Sequence, residues 1–278
     1  MLNKGRILLQ NSMDRTKRDN EVSMAQLAYL ESCKKEKRVI RFWQLFLMML
    51  FFGLWELGAR TGVINDFVFS SPSGVAKTII KMSADGSLWY HTGVTLAEVF
   101  VSFLIIFVFG IGIAMLLWWN TTISKVLEPY LVVLNSLPKS ALAPVFIVWL
   151  GANMKTIIVA AVSVAVFGTI LTLYHGFAET EEDRCKLIYT LGGTKKDVLT
   201  KVILPGNIPA MISLMKVNLG LSLVGVIIGE FLAARAGLGY LIIYSTQVFQ
   251  LSVVIASIFI LCSISVLLYW VIARLEKK

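Results

Sequence analysis

Two stretches without a charged residue, Val99 to Trp119 and Thr156 to Tyr174, decide most of what this chain can become. Each is long enough to cross a hydrocarbon core of about 30 Å as an α-helix. A soluble core could not hide them together with the remaining apolar residues. Of the 278 residues 57% are hydrophobic and 15% charged, against about a quarter charged in ordinary soluble domains. In lipid the backbone must satisfy its own hydrogen bonds, and runs this long and continuous are not barrel strands. The expected fold is all-α, a polytopic helical bundle in a membrane.

The hydropathy pattern predicts six spans, over residues 42–60, 93–119, 127–150, 154–175, 208–232 and 251–272. The first begins after some forty polar residues and so is not a terminal secretion signal. An even number of spans puts both ends on one side. Lysine and arginine choose the side: nineteen fall in the N-terminal tail, the 120s loop, the 176–207 loop and the C-terminal tail. Five fall opposite them, Arg60, Lys77, Lys81, Lys155 and Arg235. By the positive-inside rule both termini are expected in the cytoplasm, with the chain multi-pass in a bacterial plasma membrane. The formal charge of +9 is thereby a statement about orientation, and nucleic acid is not an expected partner.

Ala236 to Ala273 carries no charge, and as one helix it would be about 57 Å long, more than a bilayer accepts. Gly237 and Gly239 predict the break, with GLGYLI opening a short re-entrant or interfacial element and the last span starting near Leu251. Residues 1–41 read as a cytoplasmic extension, either mobile or lying on a surface, with a weak apolar patch of Met24, Leu27, Ala28 and Leu30; a docking arm is the alternative. Residues 42–278 form the membrane domain. Cys33, Cys185 and Cys262 show no paired spacing, so neither disulfides nor a metal site are expected.

The most informative segment is the 176–207 loop. Thr180 with Asp183 reads as a capping box, with Glu181, Glu182 and Asp183 at the positive end of a short helix. Leu187, Ile188 and Leu191 give that helix an apolar stripe. Gly192 and Gly193 end it, because the turn needs a left-handed residue. Thr194 with Asp197 opens a second helix, whose Val198, Leu199 and Val202 run up to Pro205. Spacing alone favours a helix lying on the lipid surface over one offered to a soluble partner.

The same spacing resembles the cytoplasmic signature of ABC importer permeases, written E-A-A, three residues, G, nine residues, I, one residue, L-P. Here the glycine is Gly192, and the end falls on Val202, Leu204 and Pro205. The triplet falls on Lys186, Leu187 and Ile188 and departs from the pattern: a lysine replaces the acid and bulkier groups the alanines, which bears on the pocket residues of the partner. SPSGV at Ser71, LEPYLVVLNSLPKSALAPVFIVWLG from Leu127, LPGNIPAMISLMKVNLGLSLVGVIIGEF up to Phe231 and GLGYLI at Gly237 extend the resemblance to the nitrate, taurine and alkanesulfonate branch, over residues 65–278. The resemblance implies a non-catalytic permease of the type I fold. ATP and magnesium would be bound by a separate ATPase subunit and not by this chain. It further implies an extracytoplasmic solute-binding protein, a second copy of the chain, and docking of the ATPase through Lys186, Leu187, Ile188, Leu191, Gly192, Gly193, Val202, Leu204 and Pro205.

Within the spans, Lys139 between Pro138 and Pro144 is expected to brace a kink, since the prolines leave carbonyls in need of partners. Lys216 is close enough to an end to snorkel. Gly225 and Gly229 form a G-x-x-x-G pair that admits a close helix, and the resemblance places this span along the translocation path. Glu230 is expected to bond to a neighbouring loop, and Glu56 and Glu98 to reach water at the interfaces. His91 and His175 lie at opposite boundaries and share no site. No phosphate-binding G-x-x-x-x-G-K-S/T loop, H-E-x-x-H pair or nucleophile with its base is present, so no catalytic residue is expected. A self-sufficient carrier or channel is the competing class; it calls for an ion-coupling acid in mid-span.

Overall fold

The computed structural model describes residues 2–63 and 65–275, without the side chains of residues 2–25, 27, 28, 30, 31, 66 and 275. The patch of Met24, Leu27, Ala28 and Leu30, apart from its backbone, and the basic Lys277 and Lys278 therefore lie outside the described residues. The chain divides into two units, Met1–Ile64 and Asn65–Lys278.

The first unit is one helix, α1 (Leu2–Arg60), of 59 residues. The expected junction at residues 41–42 falls inside it. Phe42, Trp43, Phe46, Phe51, Phe52 and Trp55 make ring contacts along its second half. Glu56 is held by Arg60 one turn on, at 2.8 Å.

The second unit runs through α2 (Asp66–Phe69), α3 (Pro72–Ala84), α4 (Ser87–Trp119), α5 (Thr121–Ser136), α6 (Lys139–Leu150) and α7 (Met154–Ala178). It continues through α8 (Glu182–Thr190), α9 (Lys195–Val198), a π-helical turn (Leu199–Ile203), α10 (Leu204–Ala233), α11 (Leu238–Gln247) and α12 (Leu251–Leu275). Among the described residues there is no strand. Among the described residues five helices are long and apolar enough to cross a membrane, and the pair α5 and α6, bent by 94° at its break, makes a sixth when counted as one span. The break falls where Pro138 lacks an N–H to continue the ladder, and Lys139 Nζ donates to the carbonyl of Asn135 in the last turn of α5.

α7 lies between α4 and α10, and small residues set both contacts. A Cβ at Gly225 would come 2.6 Å from the Ala161 Cα, and one at Gly229 3.0 Å from the Ile157 Cα. Against α4, a Cβ at Gly110 would meet Thr169 Cγ2 at 2.6 Å. With no hydrophobic force between helices in lipid, close packing of this kind does the holding. The G-x-x-x-G pair is thus used within the chain. A buried polar cluster accompanies it: the Thr169 hydroxyl lies 2.7 Å from the Ala165 carbonyl and 3.0 Å from Asn218 Oδ1, while Ser222 donates to the Asn218 carbonyl. Lys216, earlier in α10, borders a small cavity of about 80 Å3 with Leu219, Leu223 and Tyr269.

Candidate coupling surface and the opposite hairpin

α4 joins two functional ends. Its last turns belong to an apolar cluster of Ala114, Leu173, Phe177, Val198 and Ile203, on which Trp118, Cys185, Ile188, Leu199 and Leu204 pack. α8 therefore has two faces. Cys185 and Ile188 point into the cluster, whereas Leu187 and Leu191 stand 58% and 76% exposed. Among the described residues of this unit nothing covers that crest.

The turn after α8 shows why two glycines stand there. Gly192 adopts φ +80°, its N–H bonds to the Tyr189 carbonyl and the Gly193 N–H to the Ile188 carbonyl. That is the Schellman closure of a helix C-terminus. A Cβ at Gly193 would lie 2.8 Å from the Ile188 carbonyl oxygen. Beyond it, Thr194 and Asp197 form the expected reciprocal capping box. Thr194→Ala should cost the short helix about 1 kcal/mol, read as roughly fivefold faster deuterium uptake at the α9 amides; unchanged uptake would show that the box does not hold this helix.

One expected cap does not form. α8 starts after Glu181 with no side-chain cap bond. Thr180 still belongs to the closing turn of α7, donates to the Gly176 carbonyl and accepts from Asn207 Nδ2 at 3.1 Å. Its oxygen is thereby committed away from the α8 amides. Lys186, at the position where the family pattern has an acid, pairs with Glu182 at 2.7 Å and holds that carboxyl below the usual carboxylate range. The pair is exposed and adds little stability.

At the other end, Glu230 is 1% exposed. Its Oε1 accepts from Thr95 Oγ1 at 2.7 Å and its Oε2 from the Gly239 N–H at 2.5 Å. Thr95 Oγ1 accepts in turn from the Leu238 N–H at 2.8 Å, and His91 Nδ1 accepts from the Gly237 N–H at 3.0 Å. Three successive amides at the start of α11 are thus held by α4 and α10. The left-handed φ of +114° at Gly237, and the 2.8 Å that would separate a Gly239 Cβ from Glu230 Oε2, require the two glycines. Tyr240 stacks on His91, and Tyr244 on Tyr240.

Glu98 corrects a sequence expectation. It does not reach water: it is 2% exposed, faces Glu230, and its Oε2 has no protein partner. Hydropathy placed it near a boundary because α4 starts at Ser87, six residues before the predicted span, leaving Glu98 three turns inside the helix. Thr95 and Glu98 were not legible as partners of Glu230, since the pairing crosses more than 130 residues. At the boundary near α8, His175 lies 3.7 Å from Glu128. Among the described residues no group of three His, Cys, Asp or Glu could hold a metal.

A helical bundle with a bent helix pair, a glycine-closed helix standing clear at one end and a glycine-bounded hairpin at the other has the architecture of a polytopic membrane subunit. The chain belongs to the family described as binding-protein-dependent transport system inner membrane component, whose model matches residues 106–278. It is 33% identical over 217 residues to a probable ABC transporter permease protein of Haemophilus influenzae, covering 78% of this chain and 88% of that one. It is 29% identical to the formylaminopyrimidine transport permease protein ThiX of Halalkalibacterium halodurans, over 84% and 92% of the two chains. The taurine transport system permease protein TauC of Escherichia coli is 22% identical, over 81% and 84%. In fold, the chain matches a subunit of the MetNI methionine ABC transporter in an inward-facing conformation, with a TM-score of 0.61, 19% identity and coverage of 68% and 96%. The chain is thus a non-catalytic, multi-pass inner-membrane permease subunit of the ABC importer type.

Proposed function

We propose that this permease moves a small solute into the cell when an ATPase subunit pushes on the exposed crest of α8. The observation that carries this reading is the two-faced α8 itself. Its inner face is packed on the ends of α4, α7 and α10, and its outer face offers Leu187 and Leu191 to a partner. On this reading Lys186, Leu187, Ile188, Leu191, Gly192 and Gly193 form the docking element. Val202, Leu204 and Pro205 form its rigid continuation into α10. The α8 end faces the cytoplasm with both termini, and a solute-binding protein delivers substrate at the α11 end.

Two copies around a shared path are the economical arrangement for so few crossings. The bent pair with Pro138, Lys139 and Pro144 is placed to gate that path, framed by α10 with Gly225, Gly229 and Glu230. ATP and magnesium belong to the ATPase partner. The substrate class is a small sulfonate, nitrate or a heterocyclic vitamin precursor; the taurine and formylaminopyrimidine permeases among the relatives support the first and the last.

Glu98 and Glu230 are the buried acids that a self-sufficient carrier would use for ion coupling. Glu230, however, commits both oxygens to Thr95 and Gly239, which favours a structural role. The test is affinity purification of the tagged chain from its native membranes with whatever ATPase subunit it retains, followed by uptake of taurine, nitrate and formylaminopyrimidine into vesicles. The reading requires a retained ATPase and vanadate-sensitive uptake. Uptake without the ATPase would replace it with the carrier.

A further inference from the structure

We propose that Lys195 is a positioning residue that carries displacement of the α8–α9 segment to the corner between α4 and α5, and through it to the break at Pro138. The inference rests on the coupling role proposed above. Lys195 is the first residue of α9, where the positive end of a helix disfavours a cation. Its side chain reaches across to another element. Nζ donates to the carbonyl of Trp119 at 2.6 Å and lies 5.3 Å and 5.7 Å from the ring centroids of Trp118 and Trp119. Trp119 is the last residue of α4, so its carbonyl has no partner inside its own helix. A cation is favourable at that negative end, and the indole faces add attraction. The lysine thus joins the start of one helix to the end of another, 76 residues away.

The tight corner beyond Trp119 makes the contact directional. A single residue, Asn120, separates α4 from α5. It closes α4 by donating its N–H to the Leu116 carbonyl and opens α5 by accepting from the Thr122 and Ile123 N–H groups. A corner of one residue, bonded on both sides, leaves few free dihedrals with which to absorb a pull. Motion of the Trp119 carbonyl therefore passes into α5, whose other end is the 94° break. Val198, one turn beyond Lys195, shares the apolar cluster with Trp118, which keeps the two elements in register while the lysine transmits.

The experiment uses the chain assembled with its ATPase, with Cys33, Cys185 and Cys262 changed to serine and Ser136→Cys as a reporter. Ser136 is exposed at the end of α5, next to the break. Its alkylation by a maleimide is followed with and without ATP and vanadate. With Lys195 present, vanadate trapping should change the alkylation rate at least fivefold. In K195M the change should fall below twofold while trapped nucleotide stays the same, and K195R should restore it. A purely structural lysine would lower trapping and response together, and that result overturns the proposal. So does a full response in K195M, or no response in the Lys195 chain despite trapped nucleotide. If K195M does not assemble, K195Q carries the same expectation, and loss of the ATPase from both variants also overturns it, because the lysine would then serve docking. Failure of the chain with Lys195 to retain any ATPase would instead remove the proposed function itself.

Discussion

Leu187→Arg is expected to leave the bundle folded and to strip the ATPase from the complex. The side chain points away from the cluster beneath α8 and is 58% exposed, so its replacement removes no internal packing. On a partner it would bury about 2 kcal/mol of apolar surface. An arginine in the same pocket adds the cost of an unpaired, desolvated charge, of a further few kcal/mol. A loss of more than about 3 kcal/mol weakens binding over a hundredfold, enough to empty the complex at purification concentrations. The check is retention of the ATPase on the tagged chain, alongside thermal unfolding of the chain alone, which should not move.

Gly192→Val acts on the same contact differently. It forces a β-branched residue into a φ of +80°, at about 1–2 kcal/mol, and should loosen the end of α8 before it weakens docking. If Leu187→Arg kept the ATPase bound, α8 would be a helix lying on lipid, the alternative that spacing alone favours.

The range of each interaction decides how much of the fold and the site was legible in the sequence. The α8–α9 segment depends on contacts three to five residues apart, so Gly192, Gly193 and the Thr194–Asp197 box could be read directly from the order of residues. Thr180 misled because a hydroxyl at a helix boundary can serve the helix before it or the one after it. Local sequence does not say which end claims it. The break at Pro138 and the independent α11 were legible for the same local reason, a missing N–H in one case and an overlong apolar run in the other.

Every bond between distant segments escaped: Lys195 to Trp119, Thr95 to Glu230 and Thr169 to Asn218. Periodicity cannot report these, since each residue alone fits a bland surface or interface role. Gly225 and Gly229 show the intermediate case. Their spacing announced a close neighbour, and only the fold names it as α7.

Glu230→Ala should be the most destabilising single change at the α11 end. The carboxylate accepts from the Gly239 amide and the Thr95 hydroxyl, both buried, and alanine offers neither an acceptor nor room for much water. Leaving a buried donor unsatisfied costs about 1–3 kcal/mol. Two such donors account for a large part of a stability that is only about 5–15 kcal/mol in total. Thermal unfolding in detergent should fall by on the order of 10 °C. Protease cleavage between Ala236 and Gln250 should appear first, because the hairpin has lost the group that three elements share.

Glu230→Gln keeps one oxygen but must turn its amide toward one of the two donors, so it should lie between alanine and the unaltered chain. Thr95→Val removes the hydroxyl that links the carboxylate to the Leu238 amide. Combined with Glu230→Ala it should cost less than the sum of the two separate losses, since both act through one network. An unchanged unfolding temperature with an intact hairpin in Glu230→Ala would show that α11 is held by the Gly237–His91 bond and its apolar contacts with α12, and that the acid stands there for another purpose.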